Sequence, residues 1–375
     1  MDKKRLIEAY KDKNVYITGI TGFKGGWLAL MLHELGANVS GIGLDPDQDD
    51  GIFYQARIDE IADVTIGDIV EPADTTKLIP SIIKANPDYI FHMAAQPIVS
   101  EGYKDPFNTF NTNIMGTVML HEVIRGLRLP ASKENLENGH CAKIDDENLS
   151  CKKISIINIT TDKVYKEENR PLKEDDKMFG FDPYSLSKTC SDMISSCYRD
   201  ALKSPHYIST MRAGNVIGGG DMAVNRIIPD IVRATKAGEI VEIRSPYSVR
   251  PYQHVFDALS AYLWVAMLQR EDKNYQGEYN VGPDIDQTMQ TYELVEKMQD
   301  YLDFKWENTG KSIGKESNYL ALDNTKIKSV GWVPAYSTND LVVEAVSKWY
   351  NKSMQGEDMQ KITLNQIKEA FNSYE

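Results

Sequence analysis

Cysteine is scarce in this chain: Cys141, Cys151, Cys190 and Cys197 are the four among 375 residues. None stands in a CxxC pair or at a zinc-like spacing from histidine, and a chain of this length needs no disulfide staples, so four reduced thiols are expected. Long apolar runs are missing too. Nothing approaches the roughly 18 apolar residues of a membrane span, and Met1-Asp2-Lys3-Lys4-Arg5 lacks the apolar stretch of a secretory leader. Positive charge is in deficit, with 42 Lys and Arg against 55 Asp and Glu and a formal charge of −13. That argues against general nucleic-acid binding, which needs clustered cations to displace counterions. A local basic pocket for an anionic ligand stays open. The expectation is a cytoplasmic enzyme with no nucleic-acid or membrane partner. No internal repeat is seen.

What the chain does contain is a rhythm. Short apolar runs at Asn14–Thr18, Asn38–Leu44, Val64–Ile66, Asp88–Met93, Ile154–Ile159 and Tyr207–Arg212 read as strands. Helical patterns fall between them at Gly25–Leu35, Leu78–Ala85, Ile114–Arg125 and Tyr184–Ala201. Strands alternating with helices predict an α/β fold with a doubly wound parallel sheet. Ser132–Ser150, polar and charge-rich, interrupts the rhythm and reads as a surface loop without chemistry. After Arg212 the chain turns irregular, with helices expected at Ile227–Lys236, Ala258–Leu268 and Gln290–Tyr301. The expected organisation is a dinucleotide-binding domain over 1–212, to which part of 250–270 returns, and a smaller α/β substrate-binding lobe over 213–375. That lobe would sit over the carboxyl ends of the strands, where open α/β sheets bind ligands.

The first strand runs into Gly19-Ile20-Thr21-Gly22-Phe23-Lys24-Gly25, and a helix follows. Glycines at this spacing allow a tight turn and a close approach of backbone to phosphate, whose charge then sits at the helix N-terminus. This is the context of a Rossmann-type dinucleotide site. Asp45 ends the second strand, where a carboxylate can accept from an adenosine ribose. Asp47, Asp49 and Asp50 follow with no arginine nearby and would repel a 2′-phosphate, which favours NAD over NADP. Asp68-Ile69 and Ala94-Ala95-Gln96 follow the next two strands, placed for the adenine and nicotinamide ends. Gln96 is also a candidate for the substrate.

The spacing YxxxK occurs twice. On a helix, residues four apart share a face, so a lysine can stabilise a phenolate. Tyr184/Lys188 follows a buried strand and the stretch Thr160-Thr161-Asp162-Lys163. Tyr301/Lys305 lies at the end of an amphipathic helix in the second lobe and reads as structural. A simple dehydrogenase needs only the tyrosine and lysine. The added Asp162–Lys163 pair, an acid beside a base, suits elimination of water; its bland alternative is an ion pair on a loop. Asn113 is a candidate near the tyrosine or a helix N-cap. Asn215, Arg226 and Arg250 are candidates for a diphosphate, since the planar guanidinium makes paired, charge-assisted bonds. Arg226 could equally open the helix at Ile227. No metal site is expected.

The combination resembles the extended short-chain dehydrogenase/reductase family. Epimerases of that family carry Ser-Ser or Ser-Thr at the position of Thr160-Thr161 and lack the Asp-Lys pair. Thr161-Asp162 followed by an acid or base resembles the 4,6-dehydratases. Lys163 as the third residue is similar to the CDP-glucose branch. So are Thr18–Leu28, the loop Arg212–Asp221, Arg250-Pro251-Tyr252-Gln253-His254-Val255, and the tail Gly356–Met359 with Thr363–Ile367. The stretch Lys166–Asp175 departs from that branch in having fewer aromatics. The resemblance implies a hydro-lyase with bound NAD, a nucleotide-sugar substrate such as CDP-glucose, a homodimer, and a place in deoxysugar and surface-polysaccharide synthesis. It further implies that Tyr184, activated by NAD and Lys188 and aided by Thr161, deprotonates the sugar 4-hydroxyl. Lys163, in a desolvated pocket, would take the carbon-5 proton, and Asp162 would protonate the leaving 6-hydroxyl. Other readings are a related epimerase or reductase, or a non-enzymatic dinucleotide sensor.

Overall fold

A computed structural model describes residues 1–46, 50–127, 152–310 and 318–374. The Ser132–Ser150 stretch, Cys141, Cys151, Asp47 and Asp49 lie outside the described residues. Cys190 and Cys197 are free thiols. Seven parallel strands form the central sheet: β1 (Asn14–Thr18), β2 (Asn38–Gly43), β3 (Asp63–Ile66), β4 (Tyr89–His92), β5 (Ser155–Thr161), β6 (Tyr207–Ala213) and β7 (Glu278–Val281). Their spatial order is β7-β6-β5-β4-β1-β2-β3. Helices cover both faces, so central strands are buried throughout; every residue of β5 is buried.

The order reverses between β1 and β4, which opens a crevice at their carboxyl ends. Thr18, the last residue of β1, holds that crevice in shape. Its Oγ1 accepts from the backbone N–H of Met93 at 3.1 Å and of Ala94 at 3.2 Å. The helix Phe23–Glu34 starts directly above it.

Two elements return to the sheet after residue 213. Helix Val255–Glu271 is buried on nearly every side and packs on β5 and β6, where the Ala266 carbonyl accepts from Ser155 Oγ at 2.7 Å. Strand β7 then pairs with β6; the sequence reading did not anticipate it. The C-terminal helix Met359–Asn372 packs on Phe23–Glu34. One hydrophobic cluster therefore runs from Leu6 to Tyr374, shared by elements before and after residue 213. The physical reason is apolar surface: Phe256, Trp349 and Phe371 are buried in the same cluster as Trp27.

The remaining lobe is built from short pairings. Ile240–Ile243 runs parallel to Lys305–Asn308, and Val249–Arg250 pairs with Met289–Gln290. Lys305 opens a strand, whereas Tyr301 follows helix Thr291–Gln299. The second YxxxK is thus not helical, which leaves Tyr184/Lys188. No helix among the described residues is long and apolar enough to cross a membrane. No group of His, Cys, Asp or Glu among them could hold a metal ion.

Candidate active site

The glycine turn can be read residue by residue. Gly19 has φ +76°, and an added Cβ would come within 2.8 Å of the Ala94 nitrogen. At Gly25 it would lie 2.1 Å from the Gly19 carbonyl oxygen. These two glycines let helix Phe23–Glu34 pack against β1 and β4. Gly22 differs: its backbone is ordinary, at φ −83° and ψ 172°. An added Cβ there would come no nearer than 3.4 Å to another atom. Neither conformation nor internal packing demands glycine at 22, and the helix it precedes has no side-chain cap. An exposed glycine before uncapped N–H groups fits the close approach of a diphosphate. Thr21 packs where a Cβ on Gly43 would fall, 2.3 Å from its Oγ1.

Asp45 is exposed just beyond β2, as a ribose acceptor requires. Asp50 pairs with Lys236 at 3.2 Å. Asp68 accepts from the Val70 N–H at 3.0 Å, and Ile69 is buried against Gly116. Gln96 donates to Thr109 Oγ1 at 2.8 Å and accepts from the Ile98 N–H at 2.5 Å. Asn113 accepts from the Gln96 N–H at 2.8 Å and donates to the Gln96 carbonyl at 3.0 Å and Ser187 Oγ at 2.8 Å. These bonds tie the loop after β4 to the catalytic helix. Asn113 is also no N-cap: it sits inside the π-helical turn Asn111–Met115.

The carboxyl ends of β5 and β6, the helix Pro183–Asp200 and the second lobe enclose a cleft of about 550 Å³. Lys24, Thr161, Lys163, Tyr184 and Lys188 line it, together with Asn215, Arg226 and Arg250. Asp182 caps the catalytic helix by accepting from the Ser185 N–H at 3.0 Å, and Pro183 occupies its first position. That start point puts Tyr184 and Lys188 on one face.

Asp162 is 1% exposed. Its Oδ1 accepts from Thr161 Oγ1 at 2.9 Å and from Lys163 Nζ at 3.3 Å. Its Oδ2 is buried without a partner. The Lys163 side chain keeps 31% exposure, so the desolvated pocket expected for it is absent from this arrangement. Burial pushes the Tyr184 hydroxyl up to about 12, offset in part by its bond with Thr161 and by the Arg226 guanidinium. Lys188 Nζ donates to the Ile159 carbonyl at 3.0 Å. Arg226, which the sequence pointed to for a diphosphate, is a cation that favours the Tyr184 phenolate. Arg226 is also paired with Asp221 at 2.8 Å.

The cleft is rich in cations. Burial, then Lys24, brings Lys188 down to about 7, against the pull of Asp192. Burial, then Arg226, brings Lys24 down to about 8, against Asp221 and Asp162. Arg250 is 9% exposed, and among the described residues its guanidinium donates to the neighbouring Val249 carbonyl at 2.9 Å. The Asn215 Oδ1 is buried without a partner. Cations that depress one another, with too few carboxylates among them, suit an anionic ligand.

The family model for GDP-mannose 4,6 dehydratase matches residues 16–345. The chain belongs to this family. It is 37% identical to CDP-glucose 4,6-dehydratase of Salmonella typhimurium over 380 aligned residues, covering 97% of this chain and 98% of that one. It is 24% identical to a dTDP-glucose 4,6-dehydratase of Xanthomonas campestris, over 89% of this chain and 92% of the relative. Among solved structures, a UDP-glucose-4-epimerase of Stenotrophomonas maltophila with bound NAD aligns with a TM-score of 0.74 at 18% identity, covering 92% of this chain and 100% of that one. An epimerase of Methanothermobacter thermautotrophicus aligns with a TM-score of 0.75 at 17% identity, covering 96% and 97%. At those identities the structural likeness is one of fold. The dehydratase relationship rests on the family match and the full-length relative.

Proposed function

We propose that this protein is an NAD-dependent nucleotide-sugar 4,6-dehydratase that converts CDP-glucose to CDP-4-dehydro-6-deoxyglucose. The observation that carries the reading is the Asp162–Lys163 pair: Lys163 lines one cleft with Tyr184, and Asp162, buried just behind it at 3.3 Å, holds one unpartnered carboxylate oxygen. An epimerase of this fold has no step for such a pair. A sensor would need neither the pair nor the tyrosine.

NAD would be held by the Gly19–Gly25 turn, Asp45 and Lys188, and when bound it supplies a reversible hydride acceptor. The chain's own residues handle protons. Tyr184 accepts the proton of the sugar 4-hydroxyl, and the Thr161 hydroxyl, which donates to Asp162 Oδ1 in the ligand-free protein, would turn to support the developing phenolate. The ketone formed at carbon 4 acidifies the carbon-5 hydrogen. Lys163 is the group for that hydrogen, and Asp162, in contact with it at 3.3 Å, is the group for the departing 6-hydroxyl. Arg250 and Asn215 are the groups for the substrate diphosphate. The cytidine base rests on the Salmonella relative.

A homodimer belongs to the same proposal. It would use the helices Gly116–Gly126 and Pro183–Asp200, the latter with Leu186 and Met193 exposed; sedimentation tests it. The enzymatic reading is tested by incubating the purified protein with CDP-glucose, no cofactor added, and weighing the product. Loss of one water supports it. A product of unchanged mass would favour an epimerase.

A further inference from the structure

One buried ion pair, outside all the residues assigned so far, joins the two catalytic segments. Asp192 lies one helical turn beyond Lys188 and is 1% exposed. Its Oδ2 accepts from Thr160 Oγ1 at 3.0 Å and from Arg212 Nε at 3.0 Å, and its Oδ1 accepts from Arg212 Nη2 at 2.8 Å. Arg212, on β6, is 2% exposed. Its Nη1 donates to the Tyr165 hydroxyl at 2.8 Å and to the Glu174 carbonyl at 2.9 Å. The Tyr165 hydroxyl donates in turn to Asn280 Oδ1 on β7 at 2.6 Å. One guanidinium therefore touches the helix that carries Tyr184 and Lys188 and the residue that follows the Asp162–Val164 turn. Through Asp192 it also reaches the strand end that carries Thr161.

Neither Asp192 nor Arg212 lines the cleft, and the polar groups of both are engaged within the protein, so both are positioning residues. Stability alone accounts poorly for the pair, because desolvation of two buried charges offsets most of their attraction. What a two-pronged guanidinium–carboxylate contact supplies is geometry. Geometry is what this site needs. The oxidising Tyr184 and the eliminating Asp162–Lys163 pair sit on different elements, and one sugar ring must meet both.

We propose that the Asp192–Arg212 pair is a positioning device that fixes the register between the oxidising and eliminating halves of the active site, so that its loss uncouples the two steps. The proposal rests on the dehydratase reading and adds a division of labour to it. Arg212→Lys keeps the charge and removes the fork. Tyr165→Phe removes one outward link and leaves the pair intact; Tyr165 borders the cleft, but its hydroxyl, the one group removed, is bonded on both sides by protein.

The test uses the purified holoenzyme with CDP-glucose and follows three readouts: kcat, KM, and the absorbance of enzyme-bound reduced nicotinamide. In Arg212→Lys, kcat should fall about tenfold or more while KM stays within about twofold. Reduced cofactor should accumulate on the enzyme, because oxidation proceeds and elimination stalls. Tyr165→Phe should show the same signature more weakly. It decides the matter if Arg212→Lys fails to fold. An even slowing of both steps without reduced cofactor, or no effect in a folded variant, would overturn the proposal alone. A wild-type protein that neither reduces its cofactor nor loses water from CDP-glucose would overturn the dehydratase reading and the proposal with it.

Discussion

Lys163 Nζ stands 3.3 Å from Asp162 Oδ1, while the other oxygen of that carboxylate is buried and unpartnered. A structural ion pair would satisfy both oxygens or stay in solvent. Here one oxygen is engaged and the other is buried with nothing bonded to it. Asp162→Asn and Lys163→Met should each lower kcat by about two to four orders of magnitude, the usual range for a lost acid or base. Oxidation needs neither residue, so substrate should still reduce the bound cofactor in a single turnover. Stopped-flow absorbance checks this; loss of the oxidation step in both variants would contradict the assignment.

Tyr184 serves the other half-reaction. Tyr184→Phe should abolish cofactor reduction itself, with substrate still bound. Its hydroxyl is pushed up to about 12 by burial, so in the ligand-free protein it stays protonated at neutral pH. The cofactor and Arg226 must favour the phenolate. Arg226→Gln should therefore slow oxidation more than it weakens binding, measured as kcat against KM.

Lys188 is brought down to about 7 by burial first and Lys24 second. Below that pH it is an ammonium; above it the charge is lost. Binding of an anionic dinucleotide to cofactor-free protein should weaken as pH rises through about 7. Lys24→Met removes one cause of the lowering and should move that midpoint upward. Titration of NAD binding by fluorescence at a series of pH values reads the shift.

The glycines of the turn should separate packing from binding. Gly25→Ala places a Cβ 2.1 Å from the Gly19 carbonyl and should destabilise the fold by about 1–3 kcal/mol or more, as overpacking does. Gly22→Ala meets nothing closer than 3.4 Å. It should leave the melting temperature nearly unchanged and reduce the NAD retained through purification. Thermal denaturation beside cofactor content distinguishes the two.

Asp257 is a buried carboxylate that accepts from the Ala335 N–H at 2.6 Å and the Tyr336 N–H at 3.2 Å. Burial raises it to about 7. A folded-state pKa above the unfolded value means stability fully present below about 4 and lost as pH rises through about 7. Asp257→Asn cannot titrate. Its stability deficit should be largest near pH 5 and shrink by a few kcal/mol toward pH 8, at about 1.4 kcal/mol per unit. Urea unfolding at the two pH values checks the sign.

Much of this site could be read from spacing. The strand before Gly19 and the helix after it, and the helix carrying Tyr184 and Lys188, announce themselves by apolar runs and caps. What escaped had no local signature. Strand β7 is four residues long and opens on Glu278. The bond between Asp192 and Arg212 spans 20 residues and exists only once β6 and the catalytic helix are packed. The bonds between Gln96 and Asn113 are made by a loop and a π-turn that sequence does not reveal.

The most direct test of the central claim uses CDP-glucose carrying deuterium at carbon 4, with wild-type protein and no added cofactor. If Tyr184 serves an internal oxidation and the Asp162–Lys163 pair an elimination, the product will have lost one water and will carry the deuterium at carbon 6. Deuterium lost to solvent, or retained at carbon 4 in a product of unchanged mass, would contradict the account.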